Sequence, residues 1–338
     1  MIHELKEIIH QAIINQQKGL KNVLASVVYL EGSSYRKPGV RMLIAEDYSS
    51  VGAVSGGCVE KEIIQRSKSV FVDGKPKVIT YDGRYRLGCE GILYILIEPF
   101  FITKQFLNVF TDANQKRESL KIESFFEKKD EFFGNFGSII TFENQQQFTF
   151  SKDYKVDENA STFSQILQPD FRLIIIGGEH DAVKLCKIAA NLGWQVDVIT
   201  SAKDSKQLSD FPGSNSVIGD SPETIKFSDI EKNTAIVIMN HSYVQDLKYV
   251  AKLSEYQPKY IGILGAPKRR ERLFNELFEF VPDISDDFLD NIYTPAGLHI
   301  GAQTPEEIAV SIVAEILSVI RKKEPFSLRK INGKIHTS

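Results

Sequence analysis

The run Phe171-Arg172-Leu173-Ile174-Ile175-Ile176 is an apolar, β-branched strand, and Gly177-Gly178-Glu179-His180-Asp181-Ala182 follows it at once. Leu185, Ile188, Ala189 and Leu192 then recur at helical spacing, and Gly193-Trp194 leads to a second apolar strand, Val196–Ile199. Strand, glycine turn, helix and strand make a βαβ unit, the opening of a doubly wound dinucleotide-binding fold. The alternation continues. It predicts a strand over Thr234–Met239, a helix over Tyr243–Leu253, a strand over Tyr260–Leu264 and a helix over Pro267–Phe280. The fold class is therefore α/β, with a Rossmann-like, doubly wound parallel sheet in the C-terminal half.

Cofactor binding does not follow from that fold. The dinucleotide fingerprint needs a second glycine where the pyrophosphate approaches the backbone, and here that position is Glu179. The acid expected at the end of the second strand is replaced by Thr200 or Ser201, so NAD(P) is not expected as a ligand. Three other pieces read as strand-end loops. Asn240-His241-Ser242 offers a histidine for acid/base or metal work, although a lone histidine more commonly satisfies loop backbone. Lys268 and Arg269 open a helix and either meet an anion or are solvated. Thr304-Pro305-Glu306-Glu307 is a capping box with proline at the first helical position, starting a helix that runs through Val319.

The N-terminal half is a smaller α/β domain. Ile2, Leu5, Ile8, Ile9, Ala12 and Ile13 mark an amphipathic helix that Gly19 stops. Val23–Leu30, Arg41–Ile44, Val51–Val54, Val78–Thr80 and Ile92–Ile97 read as strands. Their connections hold the chemistry-bearing residues: Ser33 and Ser34, Cys58, and Cys89 in Leu87-Gly88-Cys89-Glu90-Gly91. The stretch Gly52-Ala53-Val54-Ser55-Gly56-Gly57-Cys58-Val59-Glu60 stands out. Paired glycines permit positive φ, and a helix starting near Cys58 aims its free N–H groups at one spot. Such a place collects anions and acidifies a thiol; the plainer reading is a tight turn with a small buried cysteine. Arg36, Lys37 and Arg41 add positive charge nearby. Arg41, beside an apolar strand, is suited to a partly buried pair or an anion.

Residues 101–170 are less informative. A helix is expected from Lys104 to Arg117, and Phe-rich pieces at Glu123–Phe126, Phe136–Phe142 and Phe148–Phe150 suit an antiparallel sheet. The polar stretch Ser151–Asp170 reads as a linker. The expected domains are 1–100, an extension and linker over 101–168, a Rossmann-like domain over 169–322, and a tail over 323–338.

At 338 residues the chain is long enough for two domains, and 42% hydrophobic with 25% charged residues is ordinary for a globular protein. A formal charge of −3 provides no field to recruit nucleic acid or an anionic membrane. No apolar run approaches a membrane span. The acidic start of the chain lacks a secretory segment. Cys58, Cys89 and Cys186 are odd in number and widely spaced, which points to a reducing cytoplasm. Cys186, inside a helix, reads as core. Zinc between Cys58 and Cys89 would lack two of the usual four ligands.

Taken in order, several of these motifs resemble the XdhC/CoxI family, maturation factors for xanthine dehydrogenase and aerobic carbon monoxide dehydrogenase. The residues concerned are Gly32-Ser33-Ser34, Pro38-Gly39-Val40-Arg41-Met42, Ser55 to Glu60 and Leu87-Gly88-Cys89 in the first half. In the second they are Gly177 with His180 and Ala182, Met239 with His241, Ile261 to Gly265, and the run from Pro295 through Ala302 to Ala309. The resemblance spans about 32–98 and 172–316.

It implies a cytoplasmic chaperone, not an enzyme, that binds the molybdenum cofactor transiently and delivers it to a molybdenum hydroxylase. A homodimer is implied, with a cysteine desulfurase as a further partner. Carried onto this chain, it marks Cys58 as the thiol nearest molybdenum and Cys89 as second. Ser33, Ser34, Arg41, Gly56 and Gly57 line the pocket, and Gly177 and His180 belong to the second domain's site. Thiolate suits molybdenum, and glycine loops with hydroxyls and arginine suit phosphate and oxo groups. Departures from the family pattern fall at Glu179, Thr200 and Glu90. The alternatives are an NAD(P)-linked oxidoreductase on the second domain and a ligand-free interaction protein.

Overall fold

A computed structural model of the chain describes residues 2–32, 34, 37–55, 57–83, 91–152, 154–157, 159–227, 230, 233–256, 258–266 and 268–331; the side chain of Cys58 lies outside that description. The chain divides into two compact units between Asp170 and Phe171.

The first unit begins with helix α1 (Ile2–Gln17) and strand β1 (Asn22–Glu31). Strands β2 (Arg41–Ala45) and β3 (Ser50–Gly52), helix α2 (Cys58–Asp73), and strands β4 (Lys77–Asp82) and β5 (Ile92–Pro99) follow. After helix α3 (Lys104–Gln115) come β6 (Leu120–Phe126), β7 (Phe132–Phe133), β8 (Gly137–Thr141), β9 (Gln147–Thr149) and β10 (Ser161–Leu167). One antiparallel sheet runs in the order β3-β2-β1-β5-β4-β7, and a second in the order β10-β6-β8-β9.

β1 is apolar on both sides because both faces of its sheet are covered. Val23, Ala25, Val27, Met42 and Ile44 pack with Val59 and Ile63 of α2. Leu24 and Leu43 pack on the other face with Leu5 and Ile8 of α1, Phe106 and Phe110 of α3, and Ile122 and Ile140 of the second sheet. Alternation along each strand divides its residues between these cores.

The linker expected at Ser151–Asp170 requires correction. Ser161–Leu167 is β10, in register with β6 from Ser161↔Phe126 to Leu167↔Leu120. Its mostly exposed, polar residues carry no strong strand signal because β10 lies at a sheet edge. The Phe-rich pieces are strands, and Phe106, Phe142 and Phe148 close an aromatic cluster with T-shaped contacts at 5.5 to 6.1 Å.

The second unit contains β11 (Arg172–Ile176), α4 (His180–Asn191), β12 (Gln195–Ser201), β13 (Ser216–Asp220), β14 (Thr234–Ile238), α5 (Tyr243–Leu253) and β15 (Tyr260–Ile263). Helices α6 (Lys268–Phe280) and α7 (Asp286–Asp290), strand β16 (Ile292–Tyr293) and helix α8 (Pro305–Arg321) complete it. All neighbours in the sheet are parallel, in the order β13-β12-β11-β14-β15-β16, the Rossmann order. Strand order reverses between β11 and β14, so a crevice opens there at the C-terminal strand ends. The capping box at α8 is present: Glu307 N–H donates to Thr304 Oγ1, and the Glu307 carboxylate accepts from Thr304 N–H. Among the described residues, no helix is long and apolar enough to cross a membrane.

Candidate functional site

Topology gathers the N-terminal motifs. β1 ends at Glu31, β2 begins at Arg41, β3 ends at Gly52, β4 ends at Asp82 and β5 begins at Ile92. The antiparallel pairings point all five termini toward the same end of the strands: Glu31, Ile92 and Asp82 are level, whereas Arg41 and Gly52 stand further back, opposite Ser26 and Met42. The strand ends that flank the connections expected to carry Ser33/Ser34, Gly56/Gly57/Cys58 and Cys89 therefore face the same way. Gly83 N–H donates to Gly91 C=O at 3.0 Å and closes the base of the third. Ser34 is half-buried. Ser33, Gly56, Cys89 and Glu90 lie outside the described residues, as does the Cys58 side chain.

Cys58 is the first residue of α2, and Gly57 is its N-cap with φ 117°. A Cβ at Gly57 would meet nothing within 4 Å, so backbone conformation, not crowding, demands glycine there. The loop before α2 is held by Glu60. Its carboxylate accepts from Ser55 N–H (2.6 Å), Ser55 Oγ (3.0 Å) and Gly57 N–H (2.8 Å). Burial pushes Glu60 up, but these bonds outweigh it and hold the group below its usual range. The capping-box position of Glu60, three residues beyond the N-cap, was the available sequence signal for this role.

Arg41 does not join Cys58. Met42 and Ile44 face α2, so Arg41 faces the second sheet. It is 7% exposed. Its Nη1 donates to Gly39 C=O and to Gln165 Oε1 of β10, both at 2.8 Å. Glu98, fully buried, accepts from Ser138 N–H and Oγ on β8. Burial lowers Arg41 to about 10, against the pull of Glu98 and Glu4, and raises Glu98 to about 7 despite Ser138 and Arg41. Gln165 and Glu98 were missed by sequence reasoning, since only three-dimensional pairing brings them to Arg41.

In the second unit the crevice has a volume of about 330 Å³ and is lined by Gly178, Glu179, Ser201, Asp204, Met239, Asn240, His241, Ser242 and Gln245. Gly177 takes φ 155°, and a Cβ there would stand 2.8 Å from Met239 C=O. That glycine permits the close approach of β11 and β14. Glu179 is the N-cap of α4 without a side-chain cap bond, and His180 begins the helix, exposed. His180 is not among the lining residues; its charge adds to the Lys184 bond that holds Glu306 below the usual range.

Thr200, where an acid was expected, is buried. Its hydroxyl accepts from Lys206 N–H (3.3 Å) and donates to Ile218 C=O (3.4 Å), folding the next loop so that Asp204 lines the crevice. Lys206 pairs with Asp204 at 2.7 Å. Of the helix-opening cations, Lys268 is exposed, whereas Arg269 bonds Asp246 and Leu264 C=O. Cys186 is core: burial pushes its thiol up to about 11.

Comparison with known proteins agrees with both units. Residues 16–82 match the model of the XdhC and CoxI family, and residues 173–316 match that of the XdhC Rossmann domain. A protein of Bacillus subtilis named as a probable xanthine dehydrogenase subunit is 31% identical over 89% of this chain and 93% of its own. The molybdenum cofactor insertion chaperone PaoD of Escherichia coli is 23% identical over 93% of this chain and 88% of its own. A crystal structure described as a xanthine dehydrogenase from Bacillus halodurans superposes with a TM-score of 0.76 at 28% identity, covering 94% of this chain and 96% of that one. The chain belongs to the XdhC and CoxI family.

Proposed function

We propose that this protein is a maturation factor for molybdenum enzymes that binds molybdenum cofactor and delivers it to a molybdenum hydroxylase such as a xanthine dehydrogenase. The observation carrying the reading is that the strands flanking three motif-bearing connections point toward the same end of the first unit's sheet, with Cys58 opening α2 after one of them. A helix N-terminus favours thiolate over thiol and supplies N–H donors for oxyanions. Soft sulfur suits molybdenum, and among the described residues none stands within 4 Å of where a Cβ on the N-cap glycine would lie.

In this reading Cys58 is the metal-proximal ligand and Cys89 the second thiol. Ser33, Ser34, Gly56 and Gly57 cradle the cofactor, and Glu60 fixes the loop. Gly177 and His180 are assigned to the second unit's site. The names of the relatives support the maturation role. Action in the cytoplasm as a homodimer, with a cysteine desulfurase as sulfur donor, completes the proposal.

The test is capture. Purified protein is incubated with isolated molybdenum cofactor, excess is removed, and bound molybdenum and pterin are quantified for wild type and Cys58→Ser. Stoichiometric capture that falls in the variant supports the reading, whereas no capture by wild type sinks it. A second reading, an NAD(P)-linked oxidoreductase, draws on Asp204 in the Rossmann crevice. An NADH fluorescence titration without saturation removes it.

A further inference from the structure

Arg41 has five N–H donors, and only Nη1 uses its pair, on Gly39 C=O and Gln165 Oε1. The Nε and Nη2 atoms, which together form the side-on fork, are buried and have no hydrogen-bond partner among the described residues. Ser26 stands directly across from Arg41 in the β1–β2 register, on the same face, and its buried hydroxyl is also without a partner among the described residues. Three N–H groups on two nitrogens, and a hydroxyl, are thus buried and unpaired at one register position of the β1–β2 pair.

We propose that this place is an oxyanion subsite: the Nε/Nη2 fork of Arg41 with the Ser26 hydroxyl, held in position by Gln165, receives a tetrahedral oxyanion. The ligand is either the phosphate ester of the cofactor cargo or a free oxyanion such as phosphate or molybdate. Only the first source rests on the cargo reading. A planar guanidinium presents this edge to two oxygens at once, the geometry that makes arginine the usual phosphate partner.

A purely structural ion pair explains the arrangement less well. Glu98, a buried carboxylate on the far side of β1, gives its bonds to Ser138 and makes none to Arg41. The pull of Glu98 and Glu4 on Arg41 is long-range electrostatics, and it leaves the Nε/Nη2 fork without a hydrogen-bond partner among the described residues. A buried cation with most of its donors unmet costs stability and calls for an explanation. Gln165 acts as a positioning residue. It fixes Nη1 and thereby sets the direction of the free fork, and its amide fills the space where a Cβ on Gly39 would stand. The fork is covered by protein, so association is expected to be slower than diffusion.

The test uses the full chain, stripped of anions, in three arms: inorganic phosphate and molybdate by equilibrium dialysis, and isolated molybdenum cofactor by the capture assay. Saturable binding is expected in at least one arm. It should be abolished by Arg41→Met and weakened by about tenfold in Ser26→Ala and in Gln165→Leu, the loss of one good contact.

Free anions that fail to bind, with cofactor capture depending on Arg41 and Ser26, identify the source as cargo phosphate. Free anions that bind through Arg41, with no cofactor capture by wild type, keep the subsite and remove the cargo reading. The subsite is overturned by no saturable binding in any arm, or by capture equal to wild type in Arg41→Met and Ser26→Ala. Should Arg41→Met fail to fold, Ser26→Ala and Gln165→Leu, checked by circular dichroism, decide the matter alone.

Discussion

The Glu98 carboxylate accepts twice from Ser138, from its N–H at 2.9 Å and its hydroxyl at 2.6 Å, and so fastens the two sheets of the first unit together. Ser138 in turn shares a 2.8 Å bond with Ser124 on β6. The pair predicts a pH dependence. Burial raises folded Glu98 to about 7, above its unfolded value of 4.5, so the folded state holds the extra proton between those values. Its contribution is most favourable below about pH 4.5 and is lost as pH rises to about 7, by on the order of 3 kcal/mol. Urea unfolding at pH 5 and pH 7.5 should show that slope in wild type relative to Glu98→Gln, which lacks it. Equal slopes would remove Glu98 as its source.

Glu60 has the opposite sign. Its folded pKa lies below the unfolded value, so its stabilisation is present at neutral pH and disappears as pH falls through the folded value. Glu60→Ala should cost about 1 to 2 kcal/mol at pH 7, the usual cost of a lost cap. Cofactor capture should fall with it, because the loop before Cys58 loses three bonds. A melting curve and the capture assay on the same sample check both.

Two adjacent glycines should behave differently. Gly177→Ala places a Cβ 2.8 Å from Met239 C=O at φ 155°, where no side chain end can yield. A loss of about 2 to 4 kcal/mol is expected. At Gly178 the nearest atom to a Cβ is Thr200 Cγ2 at 3.5 Å, an ordinary contact, and Gly178→Ala should change stability by less than about 1 kcal/mol. Equal losses in thermal unfolding would contradict the geometry.

Glu315 on α8 accepts from the Tyr260 hydroxyl and from Gly297 N–H at 2.8 Å, pinning the glycine-rich loop after β16. Glu315→Ala leaves both donors without that acceptor. It should cost about 2 to 4 kcal/mol, whereas Tyr260→Phe, which removes only one bond, should cost about 1. Similar losses for the two would mean that water replaces the carboxylate.

Most elements were legible because their signals are local. The βαβ unit, the capping box at Thr304 and the run of β1 are each read within a few residues. β10 was not, since an edge strand buries little and Ser161–Leu167 looks polar. The sites divide in the same way. Three loops were expected to share a place, and the described strand ends that flank them point the same way along the sheet. Arg41 was grouped with them, but β2 alternates, and the position beside Met42 faces away from α2. Asp204 escaped notice because an acid was sought at the strand end, four residues too early.

Residues 83–172 lie outside both matched regions, yet Gln165 within that interval bonds Arg41 inside the first of them. Glu98 and its partner Ser138 both belong to the same interval. A stretch that neither family model matches thus completes the surroundings of a signature residue. Relatives that carry a different segment there must answer the arginine in another way. Positions 41 and 165 are expected to vary together through evolution, as are 98 and 138. A chimera that exchanges the segment alone should inherit a buried cation with no one to answer it.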